Sequence, residues 1–207
     1  MKRFLMVAIA YFAMAVVIVM ITRPNGGETL IAAWEGSIGL APVFGRIMII
    51  LATTGALIAW KSKDRSIRSV VLGALMAFFA TLLFQSGFTL IKTSMPFVVP
   101  FYADVALAEW DAVFHGGHDP WVFTHWIAGF LPIYLHVWVW PAVCLPVVIT
   151  ALDSDQSRVL RFLALYVMSW VLIGNLLAVL GMSAGPVFYD RIHDGDRFAA
   201  LTSAIAA

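Results

Sequence analysis

The stretch VVLGALMAFFATLLFQSGFTLI, Val70 to Ile91, contains no charged residue. It is long enough to cross a hydrocarbon core, which takes about 20 mostly apolar residues as a helix. A helix is the economical form there, because lipid offers no partner to backbone amides and each segment must satisfy its own. Working outward, four further runs qualify: Phe4–Ile21, Pro42–Trp60, Phe130–Leu152 and Phe162–Gly181. The half-apolar stretch Thr29–Leu40, with Trp34 and Glu35, reads as an interfacial helix rather than a sixth span. The expected fold is therefore an all-α integral membrane protein. It is one domain over 1–207, a bundle of about five transmembrane helices with interfacial helices on the outer face.

Composition agrees. The chain is 62% hydrophobic and 12% charged, with a mean hydropathy of +0.92, whereas soluble domains carry about 25% charged residues. A net charge of +1 and the lack of a basic aromatic patch argue against a nucleic-acid partner. The single Cys144 sits in an apolar run, so no disulfide framework exists. The first apolar run exceeds the roughly 7–15-residue core of a signal peptide and no small-x-small site follows it. It reads as a retained anchor.

Lys and Arg in short loops favour the cytoplasm. Lys2 and Arg3, then Lys61, Lys63, Arg65 and Arg68, then Arg158 and Arg161 put eight basic residues on one side. The other side has five: Arg23, Arg46, Lys92, Arg191 and Arg197. The N-terminus is expected inside and the C-terminus outside. Two polar segments then fall on the outer face, Lys92–Trp121 and Ser183–Arg197.

These segments hold the candidate site. Pro100 precedes a run of helical spacing that Gly116-Gly117 ends. On that helix Asp104, Asp111 and His115 fall at i, i+7 and i+11, within one narrow stripe. A carboxylate beside an imidazole orients it and raises its basicity; the bland alternative is the solvated face of an interfacial helix, with Trp110, Trp121 and Trp126 as an aromatic belt. Lys92, at the end of a span, is either a lysine snorkelling to the interface or a point charge for a phosphate. His115, His118 and His125 have loose metal-ligand spacing with no matching second pair. His136, alone deep in a span, lacks a second intramembrane histidine for haem. No metal and no cofactor are expected. Asn175 reads as interhelical glue. In the string SAGPVFYD the Gly-Pro is expected to break the last helix, with Tyr189, Asp190 and Arg191 over the bundle mouth.

The string GMSAGPVFYDRI, with the upstream K…P…D…D…GG-DPW pattern, resembles the type-2 phosphatidic acid phosphatase superfamily, in particular its branch of inositol phosphotransferases and their bacterial relatives. The resemblance covers roughly residues 70–198. It implies a six-helix bundle in a bacterial inner (plasma) membrane that handles lipid phosphates or a phosphoinositol-type substrate at the extracytoplasmic face. The superfamily's first motif is Lys, six residues, then Arg-Pro; here Lys92 is followed by six residues and Val99-Pro100. By resemblance Lys92 contacts the phosphate. The intact family form attacks phosphorus with a histidine, oriented by an Asp, while a second histidine protonates the leaving alcohol. Neither Pro-Ser-x-His nor the later His…Asp motif is present here, so no catalytic residue is assigned. The expectation is a chain like the N-terminal two-thirds of such a protein, with a missing C-terminal portion or a partner subunit. The alternative is a non-catalytic membrane protein that binds a lipid head group or a partner. The expected substrate-binding residues are Lys92, Asp104, Asp111, His115, Tyr189, Asp190 and Arg191.

Overall fold

The computed structural model of the chain describes residues 1–39, 67–130 and 140–206, plus isolated positions at 49–50, 53–54, 57, 60 and 133–134. The span expected over 42–60, Arg46, the basic loop that follows and His136 lie outside the described residues. So do the side chains of Arg68, His125 and Cys144.

Every regular element among the described residues is helical. In chain order these are α1 (Lys2–Thr22), α2 (Gly26–Gly39), α3 (Ile67–Ser94), α4 (Asp104–Phe114), the single turn α5 (Trp121–Thr124), α6 (Trp140–Ala151), α7 (Gln156–Leu180), α8 (Pro186–His193) and α9 (Ala199–Ala206). Short 3₁₀ turns follow α3 and α5. Among the described residues three helices are long and apolar enough to cross a membrane: Lys2–Thr22, Ser69–Phe97 and Gln156–Leu180. The first and third expected spans are each found as a helix slightly longer than the apolar run. The last begins at Gln156 rather than Phe162, because Asp155 caps it with its side chain on the Ser157 and Arg158 amides. Of the run 130–152, the described helical part is Trp140–Ala151, with Pro146 inside it. At 14 residues, α2 rises about 21 Å, too short for a core of about 30 Å.

The seam of the bundle lies between α1 and α3. Phe4, Ala8, Tyr11, Ala15 and Val19 are buried at three- or four-residue steps, the spacing that keeps one helical stripe on a partner. They meet Ala74, Ala77, Phe78, Thr81 and Phe84, which are also buried. Tyr11 stacks on Phe84 with ring centroids 4.6 Å apart. In lipid no hydrophobic force drives helices together, so close approach at small residues such as Ala8, Ala15 and Ala77 has to supply the packing.

In α7 the stretch Ser169–Leu177 winds as a π-helix. Gly174 there faces the Phe88 ring so closely that a Cβ would come within 2.5 Å of it. Asn175 donates from Nδ2 to the Tyr11 hydroxyl, which is the interhelical bond its polarity called for, and Gln85 of α3 donates to Tyr166 at 2.8 Å.

These contacts fix directions. Arg23, just past α1, bonds to Ser94 and Thr93 at the end of α3, and Tyr102, just past α3, bonds to Leu180 at the end of α7. So α1, α3 and α7 run the same way, and their C-terminal ends gather at one end of the bundle. There the two polar segments join.

Candidate functional site

Arg23 closes the end of α3. Its Nε donates to Ser94 Oγ at 3.1 Å, a terminal nitrogen donates to the Thr93 carbonyl, and the guanidinium lies 4.9 Å from the Phe97 ring centroid. A cation on the last carbonyls of a helix also complements its dipole. Arg23 is thereby committed, which leaves Lys92 in the same last turn free of any ion pair among the described residues.

The chain then turns at Pro100–Ala103 and enters α4, whose first residue, Asp104, is the hub of the site. Its side chain is 1% exposed. One carboxylate oxygen accepts from the Ser183 hydroxyl, from the Ala184 amide at 2.9 Å and from the Gly185 amide at 3.3 Å. The other meets His193 Nε2 at 3.3 Å. The Ala103 amide adds a bond to the Met182 carbonyl at 3.1 Å. A buried carboxylate is costly unless its lone pairs are filled, and this one is filled by a loop and a helix some 80 residues downstream.

The expectation that Gly185-Pro186 breaks the last membrane helix needs correcting. The helix stops at Leu180, and Gly185-Pro186 instead begins α8, with Gly185 at φ +80° and Pro186 in its first turn. Proline suits that place because its missing N–H would have no helical partner there. The extended segment between, Met182–Gly185, is what Asp104 holds.

Between the end of α3, this segment and α8 lies a cleft of about 450 Å³. Lys92 and Arg191 stand at its polar side with Ser183, and Met95, Phe101 and Phe188 are among its apolar walls. Arg191, exposed on the last turn of α8, has no ion pair among the described residues. Two cations with no ion pair among the described residues, from elements a hundred residues apart, thus line one concavity, the Lys92 ammonium lying 6.0 Å from the Phe88 ring centroid.

Asp119 and Arg197 make a second clasp. Arg197 donates from Nε and a terminal nitrogen to Asp119, the shortest bond being 2.7 Å, and reaches the Ala108 carbonyl at 2.6 Å. The Asp119 bond pushes the guanidinium pKa above its already high value. This pair fastens the end of the chain to the Lys92–Trp121 interval.

The other expected site residues are distributed less compactly. Asp111 and His115 lie at the far end of α4, both exposed. His115 Nδ1 contacts the Asp111 backbone carbonyl at 2.7 Å rather than its carboxylate, and Gly116 and Gly117, both at positive φ, turn the chain away. Of the stripe Asp104–Asp111–His115, Asp104 alone reaches the site, and the imidazole it pairs with is His193. Tyr189 packs its ring on His193 at 4.7 Å and on Phe198 at 5.3 Å. Asp190 accepts from the Phe198 amide at 2.9 Å, so it braces the turn from α8 to α9. Its other oxygen is buried with no partner among the described residues. Of Tyr189, Asp190 and Arg191, it is Arg191 that lines the cleft. Among the described residues no group of three or more His, Cys, Asp or Glu side chains is placed to hold a metal.

His193 was not singled out from the sequence. Its signal was weak: a histidine in a short polar helix, with a partner 89 residues away. The chain matches no family model, no curated protein and no solved structure.

Proposed function

We propose that this chain is a membrane protein that receives the phosphate of a lipid head group in the Lys92–Arg191 cleft at the mouth of its bundle. The observation that carries this reading is the convergence on one concavity with apolar walls of two cations that have no ion pair among the described residues. A phosphate monoester offers the oxygens that an ammonium and a guanidinium bind, the second in bidentate fashion. The apolar side chains suit the first carbons of the attached glycerol or sphingoid backbone. The Ser183 hydroxyl, turned toward Asp104, fixes the loop rather than the ligand.

The resemblance to lipid phosphatases and phosphotransferases gives this reading its substrate class, and the extracytoplasmic face is the side that the basic-residue bias assigns to the cleft. Hydrolysis or transfer is a second reading, favoured by the His193–Asp104 pair. His193 is joined through Asp104 to the wall of the cleft, and a carboxylate on one ring nitrogen makes the other the better base or nucleophile.

The test uses purified full chain in lipid nanodiscs, titrated with phosphatidic acid and with phosphatidylcholine. Selective binding of phosphatidic acid, weakened about tenfold by Lys92→Ala, is expected. Equal binding of the two lipids would reject the reading. Phosphate release that His193→Ala abolishes while phosphatidic acid binding persists would favour the enzyme; binding without release would favour the non-catalytic form.

A further inference from the structure

At the opposite end of the bundle a second concavity, about 710 Å³, runs between the first turns of α1 and the first three turns of α7. Its head carries Lys2 and Arg3 beside Met1, and its walls are apolar, among them Val7, Leu160, Leu163 and Val167. Among the described residues, the Lys2 and Arg3 chains and Gln156 at its mouth are the polar groups that line it.

We propose that this groove binds one phospholipid with a net-negative head group, its phosphate on Lys2 and Arg3 and an acyl chain along α7. Three observations support that occupant over another. First, the charges at the head are uncommitted. Neither Lys2 nor Arg3 has an ion pair among the described residues, while the neighbouring Arg158 is held by Asp153 and Arg161 leans on the Ser157 carbonyl. The nearby carboxylates are spoken for as well, Asp153 by Arg158 and Asp155 by the α7 N-cap.

Second, the length fits a lipid. Lining residues on α7 run from Gln156 to Met168, a rise of about 18 Å. One leaflet of a hydrocarbon core is about 15 Å deep, so the groove starts at a head-group level and ends near the midplane. Third, the polarity is graded in the order of a phospholipid, charge at one end and none below it. Among the described residues, a packed helix of a second copy would meet the two cations with no carboxylate left unpaired at this end to answer them.

This site is independent of the cleft at the other end, which differs in its polar side and its partners. The experiment is native mass spectrometry of the full chain, delipidated in detergent and titrated with phosphatidylglycerol or phosphatidylcholine. It is done in the Lys92→Ala/Arg191→Ala background, so that the other cleft does not contribute. One phosphatidylglycerol per chain is expected, bound at least tenfold more tightly than phosphatidylcholine. Lys2→Gln/Arg3→Gln, both exposed positions, should remove that preference, since each basic residue near a membrane surface is worth several-fold in anionic-lipid affinity. Leu160→Trp, at a side of the groove that is 44% exposed, should lower binding of both lipids by filling it. Equal affinity for the two lipids, an unchanged preference in Lys2→Gln/Arg3→Gln, or a protein dimer in place of the bound lipid would each overturn the proposal.

Discussion

The two ends of α4 carry the same chemical group to different fates. Asp104 and Asp111 lie on one stripe of one helix, two turns apart. Asp104 is 1% exposed and takes three donors from residues 183–185 and a fourth contact from His193. Asp111 stays exposed. Helical periodicity decides which face a residue shares, but what covers that face comes from elsewhere in the chain. Here the cover ends with α8, and the carboxylate beneath it changes from a solvated charge into the joint that shapes the cleft.

The largest effect should follow from removing that joint. Asp104→Ala leaves the Ser183 hydroxyl and the Ala184 amide without their acceptor and the Gly185 amide with Ser183 Oγ alone, and each buried unsatisfied group costs about 1–3 kcal/mol. A loss of roughly 3 kcal/mol or more is expected in thermal or denaturant unfolding in detergent, together with loss of lipid-phosphate binding. Asp104→Asn, which keeps one acceptor oxygen, should recover part of both. If Asp104→Ala unfolds like the parent, the two ends of α4 do not differ as described.

Next in size is the clasp. Arg197→Ala strips Asp119 of its partner and frees the Ala108 carbonyl. Hydrogen bonds to charged groups contribute about 1.5–3 kcal/mol, so a loss near 2 kcal/mol is expected. Limited proteolysis should then find residues after Asp194 more readily cleaved.

At the other end of the scale, Asp111→Ala and His115→Ala should change stability by no more than about 0.5 kcal/mol, as exposed substitutions away from special features do. They should leave lipid-phosphate binding intact. A tenfold loss of binding in either would move the site toward the far end of α4 and erase the contrast.

An acid limb sharpens the comparison from outside the site. The Arg158 side chain, aided by the Asp155 amide, holds the Asp153 carboxyl down to about 2, and the Ser157 hydroxyl with the Arg158 and Ser157 amides lowers Asp155. Both folded-state values lie below the ordinary carboxylate value of about 3.9, so the unfolded chain binds protons first as pH falls. Their contribution is present in full above about pH 4 and is lost as pH drops toward 2. Asp153→Asn/Asp155→Asn should flatten stability against pH across that window. An acid limb unchanged in the double variant would show that these two carboxylates do not shape it.

How far the sequence carried this picture depends on the range of each interaction. Apolar runs are local, so α1, α3 and α7 were legible, α1 and α3 slightly longer than their runs and α7 starting earlier at the Asp155 cap. The Gly116-Gly117 stop of α4 was legible for the same reason. Charge clustering also suggested that Lys92–Trp121 and Ser183–Arg197 belong together, and the Asp104–Ser183 and Asp119–Arg197 bonds join them. The pairing itself was not legible. Asp104 was expected to share one stripe with Asp111 and His115, and it binds His193 instead, because the parallel run of three helices brings α8 over the start of α4. Gly185-Pro186 was read as a helix breaker from its composition. Only the place where α7 ends, five residues earlier, shows it to be a helix start.

The central claim is that Lys92 and Arg191 together hold a lipid phosphate. It is tested most directly by reversing both charges, Lys92→Glu/Arg191→Glu, and measuring phosphatidic acid binding by the full chain in phosphatidylcholine nanodiscs. Both residues are exposed, so the fold should persist, as circular dichroism and thermal unfolding would register. The account predicts that phosphatidic acid binding falls at least a hundredfold, to the level of phosphatidylcholine. Undiminished binding in a folded double variant would contradict it.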